Sequence, residues 1–324
     1  MAAVKPPDTL AGWQAYRQDV RKSLWQLLGD VPPPFSPHVQ TLGITPHDGY
    51  SLHQISFENG LGATVPGLLL IPDHLAGRAP AVLYQHFHGG KYPIGKDQLF
   101  LAKDATPDGI ALVNQGYVVL VIDAYAFGER QSQGPAGTAE SGAATELSLF
   151  KHFLWEGKTL WGMMLHDDLL ALAYLRERPE VDPARIGTTG MSMGGSRATW
   201  LAALDDTVKV VIPIGQMTRY EDFAASGQYH LHSIYYYLPG MLRSGLDMEH
   251  LVSLAAPRPQ RILIGDQDPL SPIAGVRKIE AYARHIYGLY GLPENFQLTV
   301  YDGIGHRYTP AMREAMRAGF RAFL

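Results

Sequence analysis

The stretch that decides the fold is Arg185–Leu204, "RIGTTGMSMGGSRATWLAAL". A short run rich in Thr and Gly leads to Ser192, and an apolar helical pattern follows at once. Gly190, Gly194 and Gly195 remove every Cβ near that serine. Such thinning is needed where the backbone turns sharply or two elements pack closely. Gly190-Met191-Ser192-Met193-Gly194 reads G-x-S-x-G, and a strand-turn-helix corner with this pattern holds a serine exposed at the tip. The question for the rest of the chain is whether it supplies chemistry around Ser192.

Outward from that corner, apolar strands alternate with longer helical patterns from Ala79 onward. The strands read "PAVLYQHF", "YVVLVIDAY", "RIGTTG", "VKVVIPIG", "RILIGDQ" and "FQLTVYD". Helices are expected near 103–115, 160–178, 196–204, 272–287 and 310–323. Near-continuous apolar strands with helices between them predict a parallel sheet covered on both faces. Upstream, "HVQTLGI", "YSLHQISFE" and "ATVPGLLLIP" read as antiparallel strands that extend one edge, with turns at "HDG" and "NGLG". Apolar residues at helical spacing predict a helix over 8–28, stopped by Gly29. The expected organisation is a helical extension over 1–35, joined by "VPPPFSP" to one domain over 36–324. An irregular aromatic insertion, 217–247, is expected to lie over one end of the sheet.

The bulk properties narrow the function. The chain has 324 residues, 46% hydrophobic and 18% charged, with a net charge of −4, an ordinary globular composition. Nothing in that balance favours nucleic acid or an anionic membrane as partner. There are no cysteines, which excludes disulfides, thiolate metal sites and a cysteine nucleophile together. The N-terminus lacks an apolar core of signal-peptide length, and the longest apolar runs are too short to span a bilayer. A cytoplasmic protein is expected.

In open parallel sheets, ligands bind beyond the carboxyl ends of the strands. The first core strand ends in "HFHGGK", the third at Ser192, the fifth at Asp266 and Asp268, and the last in "DGIGHRY" with His306. A serine hydroxyl needs a base to become a nucleophile. A histidine titrates in the right range to be that base, and a carboxylate on its other nitrogen fixes the tautomer. Ser192, Asp268 and His306 are therefore the candidate catalytic residues. Asp266 and Asp302 compete for the acid; Asp268 is preferred because it lies past the strand end, before Pro269, where a loop can aim it inward. The oxyanion donors are assigned to the N–H groups of Met193 and Gly90.

These segments, with "DAYAFGER" and "LWGMMLHDDLLALAYLRERPEVDPARIGTTGMSMGG", resemble α/β-hydrolases of the dienelactone-hydrolase and acetyl-xylan-esterase-like kind. The resemblance runs from about Pro80 to the C-terminus. It implies the α/β-hydrolase fold and serine esterase chemistry, with Ser192, Asp268 and His306 at the triad positions. Members of the dienelactone branch proper use cysteine where this chain has Ser192. The expected activity is hydrolysis of small carboxylic esters, acetyl esters among them, without cofactor or metal. A peptidase with the same triad and a non-catalytic hydrolase-like binding protein are the competing readings.

His88, Tyr236 and His232 are taken as substrate-binding positions, the last two on a lid-like insertion. The cluster His166-Asp167-Asp168 is read as structural, because three successive helical residues face different ways. Glu129 and Arg130 are read as a pair shaping the pocket rim. Trp13, Tyr16 and Trp25 of the first helix offer a surface for pairing, so a homo-oligomer is among the expectations.

Overall fold

The computed structural model describes residues 5–103 and 105–324. Residues 1–4, part of the stretch read as lacking a signal peptide, and Asp104, inside one expected helix, lie outside them. The strands are β1 (Val39–His47), β2 (Tyr50–Glu58), β3 (Thr64–Pro72), β4 (Ala79–Gln85), β5 (Val118–Ile122), β6 (Val181–Met191), β7 (Val210–Ile214), β8 (Gln260–Gly265) and β9 (Phe296–Tyr301). The helices are α1 (Leu10–Leu28), α2 (Asp108–Val113), α3 (Ala143–Trp155), α4 (Leu160–Glu177), α5 (Met193–Leu204), α6 (Tyr220–Ser226), α7 (Met248–Leu254), α8 (Ile273–Leu289) and α9 (Pro310–Phe323).

The nine strands form one sheet in the order β1-β2-β3-β5-β4-β6-β7-β8-β9. The strands from β5 to β9 along that order run parallel. The first three pair antiparallel and form one edge. This is the α/β-hydrolase architecture.

The strand period sorts side chains to two faces. Ala81 and Leu83 of β4, with Val118, Leu120 and Ile122 of β5, meet α4 and α5. Their neighbours Val82, Tyr84, Val119 and Val121 meet α2 and α9. Met312, Met316 and Phe320 line the buried stripe of α9 at helical spacing. Three helices start at threonine caps: Thr9, Thr159 and Thr309 each accept a first-turn N–H, as capping requires.

The N-terminal helix is less of an extension than its composition suggests. Trp13, Val20, Leu24 and Leu28 are fully buried in the same core as α4, α7 and α8. Tyr16 and Trp25 pack against that core. The aromatic surface expected for pairing between copies is thus largely used inside the chain. Among the described residues of 103–115, α-helix covers only Asp108–Val113, beginning just after Pro107. Helix α3 was not anticipated, although Thr145, Leu149 and Phe153 are buried at i, i+4 and i+8. Among the described residues no helix is long and apolar enough to cross a membrane.

Candidate active site

The corner after β6 has the shape the sequence suggested. Ser192 sits at φ 56 and ψ −118, between the end of β6 and the start of α5. A non-glycine residue at positive φ is strained, and here the strain is held by close packing. A Cβ on Gly190 or Gly194 would lie inside 3.0 Å of the Gln85 carbonyl at the end of β4. The two glycines therefore let β4 pass directly beside the serine. The Ser192 N–H donates to the Ile214 carbonyl of β7 at 2.8 Å, which pins the corner from the other side.

Three strand ends deliver a continuous hydrogen-bonded chain. The His306 Nε2 and Ser192 Oγ are 2.9 Å apart. The His306 Nδ1 is 2.7 Å from Asp268 Oδ2. The other carboxylate oxygen, Oδ1, accepts the Leu270 N–H at 2.9 Å. The Asp268 side chain is fully enclosed, whereas His306 keeps a quarter of its side chain exposed. Of the three candidate acids only Asp268 reaches His306. Asp302 is exposed, and Asp266 Oδ1 is buried without a hydrogen-bond partner.

Ser192 and His306 open onto a cleft of about 250 Å³, lined also by Phe87, Gly89, Gln98 and Arg313. The cleft wall is tied together by a polar chain. The Phe87 N–H donates to Gln98 Oε1 at 2.5 Å. Gln98 Nε2 donates to the Tyr84 hydroxyl, and that hydroxyl donates to Asp108, which pairs with Arg313.

The expected oxyanion donors fare differently. Met193 opens α5, so its N–H is one of the first-turn groups that a helix leaves without an internal acceptor. The Gly90 N–H instead donates to His88 Nδ1 at 3.1 Å, and Gly90 does not line the cleft. The tight turn over His88–Lys91 folds this N–H back onto the preceding side chain.

The expected substrate-binding residues do not line the cleft either. His88 Nε2 lies 3.0 Å from Glu146 Oε1. Glu146 also accepts from the hydroxyls of Tyr92 and Ser233. Burial pushes the Glu146 carboxyl up, but the hydrogen bonds of His88, Ser233 and Tyr92 outweigh it and hold the group below the usual carboxylate range. The loop after β4 is thereby fastened to α3 and to the insertion. Tyr236 is buried, donates to the Thr218 carbonyl at 3.2 Å, and lines a separate aromatic cavity of about 400 Å³ within the insertion. His232 stacks on Tyr236 with ring centroids 4.0 Å apart and donates from Nε2 to the Leu270 carbonyl at 3.1 Å. Burial lowers its pKa to about 4. The sequence reading missed Gln98, Glu146 and Leu270, none of which carries a motif; the only signal was the helical spacing around Glu146.

The other polar residues singled out in the sequence form pairs, and none of them lines the cleft. Asp167 accepts from Arg130 at 2.8 Å and from Asn59 at 2.9 Å. Asp168 binds Arg197 through two bonds of 2.9 and 2.6 Å. Glu129 and Arg130 do not pair with each other: Glu129 reaches Lys96, while Arg130 is fully buried against Asp167.

Similarity to known proteins agrees with this architecture. YtaP of Bacillus subtilis (strain 168), named as a hydrolase, is 37% identical over 305 residues, covering 93% of this chain and 98% of YtaP. A Bacteroides fragilis NCTC 9343 structure described as an acetyl xylan esterase superposes with a TM-score of 0.74 at 19% identity, covering 93% of this chain and 77% of that one. A glucuronoyl esterase from Solibacter usitatus gives a TM-score of 0.70 at 16% identity, covering 99% and 95%. At such identities the two structures speak for the fold alone. Residues 102–318 match the model of a family named for hydrolysis of a lactone, a cyclic ester. The chain is thereby placed among the ester hydrolases: it belongs to the dienelactone hydrolase family.

Proposed function

We propose that the protein is a serine hydrolase of small carboxylic esters, acetyl esters among them, working through an acyl-enzyme. The observation that carries this reading is the unbroken chain Ser192 Oγ–His306 Nε2 and His306 Nδ1–Asp268 Oδ2, at 2.9 and 2.7 Å, ending in the cleft. In the proposed reaction, His306 takes the Ser192 proton as Oγ bonds to the ester carbonyl carbon. The imidazolium is stabilised by Asp268. Collapse of the tetrahedral intermediate breaks the bond to the alcohol, which leaves with the proton from His306. Water, deprotonated by the same histidine, then attacks the acyl-enzyme and releases the acid.

The carbonyl oxygen becomes an oxyanion and needs fixed donors. Met193 N–H is the first. For the second we assign Phe87 N–H in place of Gly90. It flanks the same cleft as Ser192, and its present acceptor is a side-chain oxygen of Gln98, which a substrate oxygen can replace. The small cleft favours short acyl groups.

The test is hydrolysis of p-nitrophenyl esters of increasing acyl length by wild type and Ser192→Ala. Cleavage of the acetate that falls with chain length and vanishes in the variant is the expected result. Activity that survives in Ser192→Ala refutes the proposed nucleophile.

A further inference from the structure

We propose that His232 is a positioning residue for the acid of the triad, acting through the Asp268–Ser271 turn. This rests on the proposed role of Asp268. Leu270 contributes backbone groups from two successive peptides, and both are engaged. Its N–H donates to Asp268 Oδ1 at 2.9 Å. Its carbonyl accepts from His232 Nε2 at 3.1 Å and from Thr218 Oγ1 at 2.6 Å. The next residue closes the turn, with Ser271 N–H donating to the Asp268 carbonyl at 3.1 Å. The Asp268–Ser271 turn is thus gripped from outside by the insertion, and the carboxylate is gripped from inside by the turn.

His232 is itself held rigidly. Its ring lies flat on Tyr236, 12° from parallel, and edge-on to Phe223 at 4.5 Å. The Leu270 carbonyl shares its peptide with the Ser271 N–H, so accepting hydrogen bonds there strengthens that N–H in the bond that closes the turn onto the Asp268 carbonyl. His232 therefore fixes the position of the turn whose Leu270 N–H orients the Asp268 carboxylate. The insertion does not wall the cleft; it braces the acid loop from behind.

His232→Phe keeps the aromatic stacking and removes the donor. His232→Gln offers an amide donor near the place of Nε2. Each variant is first checked for wild-type thermal unfolding. With the acetyl ester, His232→Phe is expected to lower kcat about tenfold, the effect of one lost hydrogen bond, with KM unchanged. His232→Gln restores part of the loss. In an Asp268→Asn background His232→Phe is expected to cost nothing further, because coupled residues are not additive. The low-field proton resonance of the His306 Nδ1–H is expected to shift in His232→Phe and to return towards wild type in His232→Gln. Wild-type kcat in His232→Phe, or full additivity with Asp268→Asn, overturns the proposal. If wild type cleaves no ester, the hydrolase reading fails by itself; an unmoved proton resonance then overturns the role of His232, and a shifted one upholds it.

Discussion

Replacing Asp268 by Asn probes the candidate site at its most constrained point. The carboxylate meets two donors, Leu270 N–H at 2.9 Å and His306 Nδ1 at 2.7 Å, in a fully enclosed position. An amide has one oxygen and one NH2, so it can accept from only one of them. If the NH2 faces Leu270, two N–H donors confront each other without water, at a cost of about 1–3 kcal/mol. If the NH2 faces His306, every hydrogen bond is satisfied, but Nδ1 must be the unprotonated nitrogen. The second arrangement wins. Nε2 then carries the proton and points it at Ser192 Oγ, so the base is occupied. Reaching the productive tautomer costs that same 1–3 kcal/mol, which alone lowers kcat by about 5- to 150-fold. Loss of the charge that stabilises the imidazolium adds to this, for a total of about 10⁴. KM is expected to change little, since Asp268 is screened from the cleft by His306. The assay is steady-state hydrolysis of p-nitrophenyl acetate with circular dichroism to confirm folding. A folded Asp268→Asn enzyme with more than a tenth of wild-type kcat refutes the orienting role.

Three further outcomes follow from other parts of the structure. Gly194→Ala drives a Cβ into the Gln85 carbonyl, so β4 and the Ser192 corner must separate; kcat is expected to fall by about 10², and an active variant in the ester assay removes the packing argument. Trp13→Ala empties a fully buried site and is expected to cost about 3–5 kcal/mol in urea unfolding with kcat unchanged; a loss under 1 kcal/mol contradicts the integration of α1 into the core. The His232 pKa is lowered to about 4 by burial, so the native state holds the neutral ring; its contribution, about 3 kcal/mol at most, is full above pH 6.5 and lost as pH falls towards 4. Wild type is therefore expected to lose stability over that window more steeply than His232→Phe, and parallel curves disprove the buried neutral histidine.

The sheet and the residues around Ser192 were legible because the constraints on them are local and repeated. Val118–Ile122 is apolar at every position, and each side chain has a helix to meet on one face or the other. Gly190, Ser192 and Gly194 encode a corner that only small residues can make. Asp268 and His306 needed only to stand just past strand ends, which is visible from where the apolar runs stop. The acid was harder. Asp266 and Asp302 stand equally near strand ends, and only the turn closed by Leu270 and Ser271 selects Asp268.

What could not be read was where individual backbone groups and buried side chains find their partners. Gly90 was assigned an oxyanion role from its place in the His88-Gly89-Gly90 run, yet a turn two residues long gives its N–H to His88. His232 and Tyr236 looked like binding residues because they are aromatic with polar tips. Their tips are instead bound to the carbonyls of Leu270 and Thr218, and neither carbonyl leaves any trace in the sequence. Glu146 shows the same limit from the acid side. It lies between two regions that drew attention, yet it joins them, accepting from His88 and Tyr92 on one loop and from Ser233 on the insertion. A triad announces itself because its chemistry restricts residue type. The parts that hold the triad in place are restricted only in geometry, so a substrate pocket and a brace behind the acid loop can be written in the same residues.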